Sequence, residues 1–94
     1  MGRTSRLRPK RLAEKLLKIR QALGLSQGRL IDHLQLNEVI YPGYISDYEN
    51  EKREPSLQVL LAYARAAGIC LDLLADDELD LPEQLPSVPT HQGR

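Results

Sequence analysis

GLSQGRLIDHL at residues 24–34 and ISDYENEKREPS at residues 45–56 decide how this 94-residue chain folds. Gly24, lacking a Cβ, suits the left-handed residue that closes a helix, and Ser26 can accept a hydrogen bond from the first turn of the next one. Leu30, Ile31 and Leu34 then share one helical face. Residues 35–41 (QLNEVIY) read as irregular, and Pro42 suits the first turn of a further helix. Ile45 and Tyr48 form the buried side of that helix, and residues 49–54 form a charged loop closed by Pro55.

Upstream, Leu12, Leu16, Ile19 and Leu23 recur at i, i+4, i+7 and i+11, the stripe of an amphipathic helix, with Pro9 placed in its first turn. Downstream, Ser56 is expected to cap a fourth helix whose Leu57, Leu60, Leu61 and Ala64 face the core, ending at Gly68. Residues 69–74 supply a last short helix or turn. The expectation is an all-α, five-helix domain over residues 9–78, with a mobile basic arm at 1–8. Residues 79–94 are acidic, with prolines at 82, 86 and 89, and bury too little apolar surface to offset the cost of ordering. They are expected to be a disordered tail.

Composition narrows the classes. The length suits one domain with a modest core. No segment approaches the roughly 18 uninterrupted apolar residues of a membrane span, and the basic start has no apolar run behind it, so it does not read as a secretory signal. Phe and Trp are absent, leaving a core of Leu, Ile, Val and Ala, with Tyr63 expected as half-buried packing. A lone Cys70 excludes an internal disulfide and a Cys-based zinc site, fits a cytoplasmic protein, and is expected as a small core residue. His33 is expected to face solvent, and it and His91 have no metal-ligand spacing. No nucleophile–base set, carboxylate pair or glycine-rich phosphate loop is present, so neither an enzyme nor a cofactor is expected.

Net charge is zero, yet it is unevenly spread. Residues 1–29 carry nine Lys or Arg against one Glu, whereas residues 69–94 carry six acids against one Arg. Such a dipolar chain can offer a basic end to phosphates while its other end stays acidic.

The ordered set Ile19-Arg20, Leu23-Gly24-Leu25-Ser26-Gln27, Ile45-Ser46, Glu49-Asn50, Lys52-Arg53-Glu54-Pro55-Ser56-Leu57, Leu60-Leu61 and Ala67-Gly68-Ile69 resembles the phage repressor/Cro-type (XRE-like) helix-turn-helix domain. The match covers about residues 10–76. The resemblance implies a DNA-binding transcriptional regulator in which the third helix is presented to a major groove. It places Gln27 at the second helix's N-terminus, reaching phosphate or a base edge. Pro42, Gly43, Tyr44, Ser46 and Asp47 take outward positions on the reading helix, and Asn50, Lys52 and Arg53 lie in a loop that touches phosphate. Arg20 and Glu49 match a structural ion pair between helix one and the end of helix three.

Two departures modify that pattern. Ten residues lie between Leu34 and Ile45, about four more than the family's usual turn. Glu51 stands where the family has a glycine, so Asn50 is expected to take the left-handed conformation. Pro42 and Gly43 offer no side-chain hydrogen bonds, so affinity is expected to lean on Arg3, Arg6, Arg8, Lys10 and Arg11, with Arg29 also on the DNA-binding side. The reading that follows is a repressor binding a palindromic operator in double-stranded DNA as a homodimer, paired through helix five near Leu73. The alternative is an antitoxin-like module that binds a partner protein through the tail or the apolar residues 39–41.

Overall fold

The computed structural model describes residues 9–86. It contains α1 (Leu12–Leu23), α2 (Gln27–Leu34), α3 (Pro42–Glu49), α4 (Leu57–Ala67) and α5 (Asp72–Ala75), with no strand among the described residues. α1 packs on α3, α4 and α5, and α2 packs on α3 and α4. The core is Leu12, Leu16, Ile19, Leu30, Ile31, Leu34, Ile45, Tyr48, Val59, Tyr63, Ala64, Ala67 and Leu74, closed on one side by Leu36 and Ile40.

Local chemistry sets most of the boundaries. Gly24 and Gly68 end α1 and α4 in the left-handed conformation, at φ 72° and 76°. Ser26 Oγ accepts from Arg29 N at 3.1 Å and Ser56 Oγ from Val59 N at 3.3 Å, so both serines cap the helices that follow them. Pro42 opens α3. The connection between α2 and α3 begins at Gln35, itself left-handed at φ 60°, which turns the chain so that Leu36 and Ile40 enter the core. Val39 and Tyr41 stay on the surface.

Several expectations require correction. Pro9 lies ahead of α1, which begins at Leu12. The buried face of α4 is Val59, Tyr63, Ala64 and Ala67, while Leu57 is 68% exposed and Leu61 is also on the surface. The helix is rotated so that Tyr63 fills the centre, and it is fully buried rather than half-buried. Cys70 is exposed, because the turn before α5 points Leu71 inward in its place. At the end of α3, Asn50 keeps a negative φ of −107° and Glu51 takes the left-handed step at 62°.

The start of the expected tail lies on the body. Leu81 packs against the core and Leu85 is 4% exposed, so packed chain extends past the boundary set at 79. Residues 87–94 and the arm at 1–8 fall outside the described residues.

Candidate nucleic-acid interface

Arg20 on α1 and Glu49 at the end of α3 meet as two planar groups. Arg20 Nε donates to Glu49 Oε2 at 2.7 Å and Nη2 to Oε1 at 3.0 Å, while Nη1 donates to the Leu25 carbonyl at 3.0 Å. The Glu49 side chain is 6% exposed and that of Arg20 18%. The bond to Glu49 holds the guanidinium above its ordinary pKa, so its charge is fixed. Gln27 Nε2 also donates to Glu49 Oε1, at 3.1 Å. The amide expected to reach DNA from the start of α2 is thus turned inward, and one carboxylate ties α1, α2 and α3 together.

The opposite side of α3 faces outward. Gly43 is exposed, and a Cβ added there would meet open space. Tyr44 and Asp47, three residues apart and so neighbours on the helix surface, are both half-buried. What covers them is Arg53, from the loop after α3. Its guanidinium carbon sits 3.7 Å from the centroid of the Tyr44 ring, and its Nε lies 3.4 Å from Asp47 Oδ2. Tyr44 also meets Tyr41 edge-on at 5.6 Å and Tyr48 at 6.3 Å. Ser46 is engaged with Asn50, whose Nδ2 donates to the Ser46 carbonyl at 2.9 Å and to its Oγ at 3.3 Å. Asn50 therefore helps finish α3. Lys52 and Arg29 are exposed.

The basic start of the chain divides. Lys10 is exposed and, with Pro9, lines one hollow together with Tyr48, Glu51 and Arg53, so the arm joins the body beside the loop that follows α3. Arg11 is committed to the acidic segment: Nη2 donates to Asp80 Oδ1 at 2.7 Å and Nη1 to the Asp77 carbonyl at 2.8 Å. Asp77 accepts the backbone N–H groups of Lys10 and Arg11, at 2.8 and 3.0 Å. It thereby caps α1, which has no side-chain cap of its own. Those bonds lower the Asp77 carboxyl below its usual pKa, and the Arg11 bond lowers that of Asp80. Arg8 lies outside the described residues.

Sequence reasoning missed Lys15, the one charged residue buried in the core among the described residues. It is 1% exposed, and its Nζ donates to the carbonyls of Leu73, Asp76 and Leu79 at 2.7, 2.9 and 2.8 Å. Burial lowers its pKa below the ordinary lysine value. A signal existed, since Lys15 falls beside Leu12, Leu16 and Ile19 on the apolar stripe. Tyr41, singled out in the sequence only as one of the apolar residues 39–41, forms the outer wall of the Tyr44 ring, a contact that nothing local marks.

A family model described as helix-turn-helix matches residues 16–74, from Leu16 within α1 to Leu74 within α5. The chain belongs to the helix-turn-helix family, of the Cro/C1 (XRE) type. This helix-turn-helix protein is accordingly a DNA-binding transcription regulator. No curated protein and no solved structure matches the chain. Among the described residues no helix is long and apolar enough to cross a membrane.

Proposed function

We propose that this helix-turn-helix protein is a sequence-specific repressor that occupies a two-fold symmetric operator as a homodimer. The observation that carries the reading is the mounting of α3: its inner end is fixed by the Arg20–Glu49–Gln27 contacts, while Gly43 is exposed and Tyr44 and Asp47 lie half-buried beneath the exposed Arg53. A rod held at one angle is what insertion into a major groove needs. Arg29 and Lys52, exposed around it, supply charge for phosphates, and the exposed Lys10 lies beside the loop after α3. Gln27 acts here as a brace, and Arg11 as an anchor for the acidic segment. Pairing is favoured because one reading helix spans only a few base pairs. Leu57 and Leu61, one turn apart on α4, and Val39 and Tyr41 leave apolar surface for a second copy.

Selection of bound sequences from a random DNA pool tests the proposal. Two related half-sites in inverted orientation are expected, with the logarithm of affinity falling linearly with the logarithm of salt concentration. Enrichment of single, unrepeated sites would remove the dimer, and no enrichment would remove the operator.

A further inference from the structure

We propose that Arg53 reads a guanine in the operator and that Asp47 and Tyr44 are the residues that aim it. The inference rests on the proposed operator binding and adds a base identity to it. Two independent contacts restrain the Arg53 guanidinium: its flat face lies on the Tyr44 ring at 3.7 Å, and its Nε points to Asp47 at 3.4 Å. Tyr44 is itself held edge-on between Tyr41 and Tyr48, at interplanar angles of 78° and 70°, and Tyr48 is buried in the core. The group is therefore referenced to the body of the domain and to α3, although it comes from a loop. Its side chain remains 44% exposed. With Nε turned to Asp47, the Nη1–Nη2 edge is the part left to meet DNA.

Chemistry selects the base over the phosphate. A phosphate contact gains from undiminished positive charge and from counterion release, and any flexible cation serves. A carboxylate 3.4 Å from the guanidinium opposes both. A base edge is neutral and rewards geometry: guanine presents O6 and N7 side by side in the major groove, matching the two parallel donors of an arginine fork. A fork whose charge is partly offset, and whose plane is fixed by an aromatic face, fits that edge better than it fits a phosphate. The same arrangement accounts for Asp47, a negative charge on a helix face presented to DNA.

The test is selection from a random DNA pool, followed by affinity measurement on the best site, for the full chain and for R53A, R53K, D47N and D47E. Melting curves matching the wild type confirm that these surface variants fold. The wild type is expected to enrich one guanine per half-site that R53A and R53K both lose, with affinity for the best site falling on the order of tenfold to a hundredfold. D47N is expected to relax the same position while the rest of the motif persists, and D47E to restore it. If R53K keeps the full motif and R53A weakens all sequences alike with a shallower salt dependence, Arg53 is a phosphate contact. The guanine assignment then fails while operator binding stands. If the wild type enriches nothing, the operator proposal itself fails and takes this one with it.

Discussion

Arg20 shows how much one side chain can hold. Its guanidinium and the Glu49 carboxylate are largely removed from water, and each satisfies the other bidentately. Arg20→Ala leaves Glu49 charged, nearly buried and bonded only by Gln27. The expected cost is on the order of 3–5 kcal/mol, which thermal melting would register as a drop of roughly 12 °C or more. An unchanged melting temperature would demote the pair to an ordinary surface contact. Tyr63 presents the reverse case. Its ring fills the centre of the core, but its hydroxyl is buried without a hydrogen-bond partner, and burial pushes its pKa well above the ordinary tyrosine value. Tyr63→Phe keeps the ring and removes the unsatisfied group, so equal or higher stability is expected, by up to about 1 kcal/mol. A clear loss in a urea titration would show that the hydroxyl has a partner in solution.

Among the elements, the ends of α2 and α3 are each turned by a non-glycine residue in the left-handed region, Gln35 at φ 60° and Glu51 at 62°. Side chains there crowd the backbone, at a cost of roughly 1–2 kcal/mol, part of which glycine returns to its more flexible unfolded chain. Gln35→Gly and Glu51→Gly are each expected to stabilise the fold by about 0.5–1 kcal/mol, read as a higher melting temperature. The long connection after α2 is a working part of the core, because Leu36 and Ile40 are buried in it. Ile40→Ala is expected to cost about 2–5 kcal/mol, as core truncations do, whereas Tyr41→Ala should leave stability nearly unchanged.

Across the whole molecule, the acidic end folds back onto the basic start. Asp77 caps α1, Asp80 pairs with Arg11, and Lys15 gathers three carbonyls of the chain around α5. Asp77 and Asp80 have folded pKa values below their ordinary 3.8. Their stabilisation is therefore complete above the unfolded value and is lost as the pH falls through the folded one. Urea midpoints measured from pH 7 down to pH 2 should fall more steeply for the wild type than for Asp77→Asn, and parallel curves would rule the clasp out. Shortening the chain separates structure from recognition. Removing residues 87–94 should leave stability and DNA binding intact, whereas removing residues 79–94 also strips the Leu79 carbonyl, Asp80 and buried Leu85, and should lower the melting temperature.

The sequence by itself determined the helices and most of their ends, because caps, glycine turns and apolar spacing act within a few residues. It also determined the family, since the ordered motifs from Ile19 to Ile69 are local signatures. The face that α4 turns inward was not legible, because Leu57 and Val59 are equally apolar and the choice depended on where Tyr63 fits. Nor was the fate of the charges. Counted along the chain, Arg11, Lys15, Asp77 and Asp80 are opposite ends of a dipole; in space they neutralise one another, since contacts more than sixty residues apart leave no periodic trace. Tertiary packing likewise set the Gln27 amide against Glu49 and Arg53 on Tyr44 beside Asp47. Those outcomes rest on which surfaces meet, and that is fixed when the core closes.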